Sequence, residues 1–313
     1  MKVKGFLLNW GIKFVGIVLL IFLLQQIDFN ILFKTLQQFN WFDIMILVAI
    51  SALVIITKAF RFQIFAQQFS VPIDLKKSTI IYGSSMFFST ITPGRLGDFI
   101  KVFYLKNLFG SSLRKGIYLS IVDRLFDLMT IFLVALLVLV LIFPSRSTFT
   151  VLLICLGLII LFSIFGKKYF VKLVSHFIAR LGRRFKVNIE NINLSRLFSR
   201  KLVLPALLSV IPNGLIFFQM VLINQILQTP IAPLTIVGIL ALGNLISMLP
   251  VTISGLGTRD ATFVYLLAKQ GIQATQAMTL SLAFFLFNNL GILLLGLLLF
   301  LIFKPKTEVA RTV

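Results

Sequence analysis

The sequence predicts an all-α, polytopic integral membrane protein with about six full transmembrane helices and two re-entrant or broken helix pairs in an inverted-repeat arrangement. Three observations carry that expectation. Of 313 residues, 59% are apolar, and the mean hydropathy of +1.04 is far above that of a soluble domain. The apolar residues are gathered into runs that approach or exceed the roughly 20 residues needed to cross a hydrocarbon core as a helix. Basic residues are confined to alternate loops, as topology in a bilayer requires.

In chain order the runs are Gly11 to Ile27, Ile44 to Ile56, Ile117 to Phe143, Phe149 to Phe165, Leu202 to Ile223 and Leu280 to Phe303. Ile131 to Ile142 and Leu290 to Ile302 are apolar on every face, whereas a barrel strand alternates. The first run follows Lys2 and Lys4 as a signal peptide would. No small-x-small cleavage site comes after Leu24, however, and Gln25, Gln26 and Asp28 read as the exit of a retained helix. The second run reaches normal length when Ile56 to Phe65 is added. It then carries Lys58 and Arg61 near one end, where both cations are expected to snorkel to headgroups.

Charge orients the stack. Lys2 and Lys4, Lys76 and Lys77, Lys101 to Lys115, Lys167 to Lys201, and Lys304, Lys306 and Arg311 define one face, while the opposite loops hold only Lys34, Arg146 and Lys269 against Asp28 and Asp43. The positive-inside rule makes the basic face cytoplasmic, giving a multi-pass protein of the cell inner (cytoplasmic) membrane with both termini inside. Lys76/Lys77 and Arg114/Lys115 then share a side, so the apolar stretch Thr79 to Thr92 must enter and return, breaking at Pro93-Gly94. Leu234 to Leu249, broken at Pro250, and Ala261 to Ala268 pose the same problem from the other face. The expected organisation is one transmembrane domain, 1–313. Its first half is 1–145 with a re-entrant 79–112, its basic amphipathic cytoplasmic segment is 167–201, and its second half is 202–303 with a re-entrant 234–270.

The two breaks resemble each other. The first reads Ser89-Thr-Ile-Thr-Pro-Gly-Arg-Leu-Gly-Asp98 and the second Leu249-Pro-Val-Thr-Ile-Ser-Gly-Leu-Gly-Thr-Arg-Asp260, each with a Pro, two Gly, an Arg and an Asp. Interrupted helices expose unpaired N–H groups at half-helix N-termini, which suit an anion deep in a membrane. Gly97 and Gly257 would let a headgroup approach the backbone, Arg95 and Arg259 would supply forked donors, and Asp98 and Asp260 would orient them. Each Arg-Asp pair also reads as a structural salt bridge between packed helices. Asp123 and Asp127 share a helix face beside Arg124, which suits either a gating network or an interfacial anchor.

Other chemistry finds little support. Lys167 to Lys201 holds ten Lys and Arg against Glu190 alone, with Leu173, Val174, Phe177, Ile178 and Leu181 at helical spacing, and so suits an anionic inner leaflet. The net charge of +21 follows from topology, and no nucleic-acid module or aromatic platform accompanies it. Cys155 and His176 each occur once, which excludes a His-rich metal site and an internal disulfide, and no cofactor is expected. Ser254 near Arg259 has no neighbouring histidine, so serine hydrolysis is unsupported, while an Asp-only or Arg-assisted phosphatase stays open. The expected partners are membrane lipids with anionic headgroups, together with envelope-synthesis enzymes as candidates, and no nucleic acid.

Phe88-Ser-Thr-Ile-Thr-Pro-Gly-Arg-Leu-Gly-Asp98 followed by Lys101, Ser120-Ile-Val-Asp-Arg124, and Leu249 to Asp260 resemble, in this order, the motifs of the transmembrane region of lysylphosphatidylglycerol synthases. Arg61 falls where that family closes its second helix with arginine. The resemblance implies a substrate site drawn from Arg61, Thr92, Gly94, Arg95, Gly97, Asp98, Lys101, Asp123, Arg124, Ser254, Gly255, Gly257, Arg259 and Asp260. Three positions depart from the pattern: Lys101 stands for the usual Arg, Ser254 for a Gly and Asp260 for Glu. In the family's two-part enzymes a cytosolic domain makes aminoacyl lipid and the membrane part is associated with its movement to the outer leaflet. Because the longest soluble-looking stretch here is Lys167 to Lys201, the resemblance implies flipping of a phospholipid, aminoacyl-phospholipid or polyprenyl-phosphate lipid without synthesis. The alternatives are an intramembrane lipid-modifying enzyme using Asp98, Asp123 or Asp260 as acid or base, and a scaffold for envelope lipid synthesis.

Overall fold

A computed structural model describes residues 34, 37–142, 150, 202–247 and 257–302, and every element among them is helical. The predicted helix at 11–27, all but Thr150 of the run at 149–165, the basic segment at 167–201, and Ser254 and Gly255 lie outside the described residues.

Helix α1 (Trp41–Gln68) opens on a capping box: Asn40 Oδ1 accepts from Asp43 N at 2.8 Å, and Asp43 Oδ2 accepts from Asn40 N at 3.1 Å. Exposed Trp41 and Phe42 follow at once, where an aromatic belt would sit. Asp74 caps α2 (Leu75–Ile91). Pro93 cannot donate to a continuing helix, and Thr92 turns extended, so α2 stops and a 3-10 turn (Pro93–Phe99) folds back along it into α3 (Ile100–Phe109). The 30-residue α4 (Leu113–Ile142) completes the first half.

A long rod made of α5 (Val203–Leu208) and α6 (Val210–Ile226) is followed by a hairpin of α7 (Pro233–Ser247) and α8 (Thr258–Ala268). A final rod runs through α9 (Ala274–Phe284), a π-helical turn (Phe285–Leu290) and α10 (Gly291–Ile302). Trp41–Gln68, Val203–Ile226 and Ala274–Ile302 are long and apolar enough to cross a membrane, by length and composition.

Packing between the halves is reciprocal. The first hairpin arm, α2, lies along α10 of the last rod, while the corresponding arm α7 lies along α4; α1 and α6 pack on each other. Two glycines bring α2 and α10 together: a Cβ built on Gly296 would stand 2.5 Å from the Gly83 carbonyl oxygen, and one on Gly83 would collide with the Leu299 side chain. Small residues at such crossings allow the close backbone approach that drives helix association in lipid.

The distribution of side chains is that of a protein dissolved in hydrocarbon. Leu133, Leu137 and Leu141 of α4 form an exposed stripe, as do Leu294, Leu298 and Leu301 of α10 and Leu53, Ile56 and Phe60 of α1. Lys58, Arg61, Asp98, Lys101, Asp123, Asp127, Arg259 and Asp260 are buried instead. Charged groups in a membrane face the bundle interior because lipid cannot solvate them.

Candidate functional site

Arg61 is the hub of the interior. It is fully buried on α1, with Nη1 2.6 Å from Asp127 Oδ1 and Nη2 2.6 Å from Asp123 Oδ1, so one planar fork bridges two carboxylates a helical turn apart on α4. Nη1 also donates to Ser209 Oγ and Nη2 to Tyr82 OH. Lys58, one turn earlier, takes Asp127 Oδ2 at 2.7 Å. Lys101 of α3 bridges Asp98 Oδ2 at 2.7 Å and Asp123 Oδ2 at 2.8 Å, with its ammonium 4.5 Å from the centre of the Tyr82 ring. Arg124 turns away from its α4 neighbours, giving Nε to Asp98 Oδ2 at 2.9 Å and Nη2 to Ser89 Oγ at 2.8 Å.

The hairpin break sits on this network. Thr92 Oγ1 donates to Phe88 O and accepts from Gly97 N, both at 2.7 Å, which pins the turn to the end of α2. Gly97 lies so close that a Cβ there would overlap the Phe88 backbone. Gly94 and Arg95 lie at the reversal. Arg95 has φ +57, a left-handed conformation that a residue with a Cβ adopts only under constraint, at a cost of order 1–3 kcal/mol. Its guanidinium makes no ion pair and no hydrogen bond among the described residues, and Arg95 lines a partly open cavity between the first and second halves of the chain.

Lys58, Arg95, Arg124 and Asp127 are the charged groups of the cavity wall, an excess of two positive charges. The whole cluster gives the same excess, because Lys58, Arg61, Arg95, Lys101 and Arg124 face Asp98, Asp123 and Asp127. Asn213 of α6, Asn244 of α7, and Asn288 and Asn289 of the π turn complete the polar lining from the second half. The π turn widens the rod by one residue per turn where these amides enter, a distortion often found at functional positions.

The second expected break, at Pro250, lies with 248–256 outside the described residues, and the described chain resumes at its far side. Gly257, φ +86, precedes α8, and its N–H is capped by Asp260 Oδ2 at 2.8 Å. Arg259 is buried against Gly243 of α7 and between Phe284 and Phe285, with ring centres 5.3 and 5.7 Å from its guanidinium carbon. It donates to Ser281 Oγ and O, each at 3.3 Å, and reaches Asp260 at 3.4 Å. Arg259 is absent from the cavity wall yet close enough for its charge to act on Arg95.

Several sequence expectations change. Lys58 and Arg61 do not snorkel: both are buried, because Asp123 and Asp127 arrive from α4 to pair with them. Asp98 orients Arg124 and Lys101 rather than Arg95. Asp123 and Asp127 hold Arg61, not their neighbour Arg124. The missing side chain of Gly97 lets the turn pack directly on the Phe88 backbone. Arg61, Thr92, Asp98, Lys101, Asp123 and Arg124 do converge around the break that carries Gly94 and Arg95, whereas Gly257, Arg259 and Asp260 form a separate knot. Asp127, expected with Asp123 and Arg124 to form a gating network or interfacial anchor, lies in the cavity wall, and Lys58, Tyr82 and the four asparagines line it without having been expected there. Their signal was polarity without a sequence-near partner inside otherwise apolar runs.

Comparison with curated proteins returned no match, and neither did comparison with solved structures. The family model described as the lysylphosphatidylglycerol synthase TM region matches residues 10–296, nearly the whole chain. On that match, this chain belongs to the lysylphosphatidylglycerol synthase transmembrane-region family.

Proposed function

We propose that this protein moves an anionic amphiphile between leaflets, with the headgroup in the Arg95 cavity and the tails in surrounding lipid. The carrying observation is an uncommitted guanidinium, held in a strained turn at a helix break, facing a cavity with an excess of positive charge. A group whose neighbours are all satisfied and which is not is the one available to a ligand. The reciprocal packing of α2 on α10 and of α7 on α4 supports two halves related by an axis in the membrane plane, and rocking of such halves exposes a central cavity to each side in turn. Chemistry on the lipid is disfavoured because the three network carboxylates are spent. Asp98, Asp123 and Asp127 each hold a buried cation with at least one oxygen, and none stands free as a general base.

In liposomes carrying a labelled anionic phospholipid, the purified protein is expected to accelerate saturable exposure of unchanged lipid to an impermeant reagent. Arg95→Ala should slow it about 10- to 100-fold, the value of a charge-assisted hydrogen bond, and Arg95→Lys should fall between. Recovery of converted lipid from detergent, where no leaflets exist, would replace the transporter with an enzyme; a scaffold would show neither activity.

An opposed arrangement of the two halves would put Lys115 on the cytoplasmic face and Gln273 outside. Single cysteines at those positions, in a Cys155→Ser background, should react with an impermeant thiol reagent from opposite sides. Reaction of both from one side removes the inverted repeat.

A further inference from the structure

The cavity is two-faced, and that asymmetry bears on which headgroup it takes; the inference rests on the binding reading above. Its cationic wall, Lys58, Arg95 and Arg124, comes from the first half, and its amide wall, Asn213, Asn244 and Asn288, from the second. The one wall carboxylate among the described residues, Asp127, accepts from Arg61 at Oδ1 and from Lys58 at Oδ2, so both of its oxygens already hold a cation.

The amides are oriented by fixed carbonyls. Asn213 Nδ2 donates to Ser209 O at 2.9 Å. Gln219 Nε2 donates to Leu47 O at 2.8 Å, which turns its Oε1 to accept from Asn288 Nδ2 at 2.7 Å. Among the described residues no hydrogen bond reaches the Oδ1 of Asn213 or Asn288 or either end of the Asn244 side-chain amide. All three are more than nine-tenths buried. Amide oxygens that line a cavity without a protein donor are open to a ligand that brings hydroxyl groups.

We infer that the headgroup is a phosphate ester of a neutral polyol: the phosphate meets Arg95 and Arg124, and the hydroxyls donate to the amide wall. An ammonium-bearing head, whether ethanolamine or an aminoacyl ester, would bring its positive charge among three cations with no free carboxylate. The same chemistry occurs in a glycerol- or inositol-headed lipid and in a free polyol phosphate.

The test measures binding of short-chain lipids to the purified full-length protein in detergent by thermal shift. The panel is phosphatidylglycerol, phosphatidate, phosphatidylethanolamine and aminoacyl-phosphatidylglycerol, with soluble glycerol 1-phosphate as competitor. Phosphatidylglycerol should exceed both ammonium-bearing lipids. Asn244→Ala, which breaks no internal hydrogen bond, should lower the ratio of phosphatidylglycerol to phosphatidate affinity about three- to tenfold. Competition by glycerol 1-phosphate as strong as that by the lipid supports the same head chemistry and makes the soluble ester the source; weak competition makes it the lipid. Equal binding of an ammonium-bearing lipid, or an unchanged ratio in Asn244→Ala, overturns the inference. If Arg95→Ala loses both phosphatidylglycerol and phosphatidate while Asn244→Ala leaves the ratio intact, only the polyol assignment falls. If Arg95→Ala keeps every lipid, the anion-binding reading itself falls.

Discussion

Arg61→Ala is expected to remove most of the folded protein. The substitution withdraws one buried cation from two buried carboxylates at once, and Asp123 and Asp127 are left with Lys101 and Lys58 as their only ionic partners. Breaking a buried pair from one side costs about 3–5 kcal/mol, against total stabilities of roughly 5–15 kcal/mol. Arg61→Lys should rescue only part of this, because one ammonium cannot span the two carboxylates that the fork bridges. Asp123→Asn in the Arg61→Ala background should recover stability, since it removes the charge left uncompensated. Thermal unfolding in mild detergent measures all four proteins. If Arg61→Ala melts with the wild type, the cluster is solvated and the buried-network account is wrong.

Much of this arrangement was legible before any coordinates, and the illegible part has a physical cause. The Pro93-Gly94 break and the extension of the second run to Phe65 follow from local rules, since proline removes a donor and apolar length fixes helix extent, whereas the grouping of Arg61 with the motif at Ser89 to Asp98 came from the family resemblance. Partnership is different, since Lys58 and Asp127 stand 69 residues apart and Arg61 and Asp123 stand 62 apart. A cation near a helix end reads as snorkelling until the helix that neutralises it is known. For the same reason Asp98 next to Arg95 in sequence suggested a pair, while the helix geometry aimed it at Lys101 and Arg124. The asparagines of the π turn carried a faint signal, two amides in the run Leu280 to Phe303, but periodicity cannot reveal that the helix widens there to point both inward.

The two signature glycines looked equivalent in sequence, and their substitutions should separate sharply. Gly97→Ala places a methyl group into the carbonyl end of Phe88, and the obstructing atoms are backbone, which no rotamer change relieves. Either the 3-10 turn or the end of α2 must shift, breaking the Thr92 Oγ1 bridge that joins Phe88 O to Gly97 N. The expected cost is about 3 kcal/mol or more, at or beyond the upper end of ordinary overpacking, and the displaced Arg95 should lose anion binding with it. At Gly257 a Cβ meets nothing within 4 Å among the described residues, so the expected cost of Gly257→Ala is that of its positive-φ backbone, about 1–2 kcal/mol. Parallel thermal melts and phosphatidylglycerol binding on the two variants decide the matter: Gly97→Ala should be severely destabilised and unable to bind, and Gly257→Ala mildly destabilised and able. The reverse order would mean that the first break packs more loosely than the Phe88 contact requires, and that Arg95 is not held in place by it.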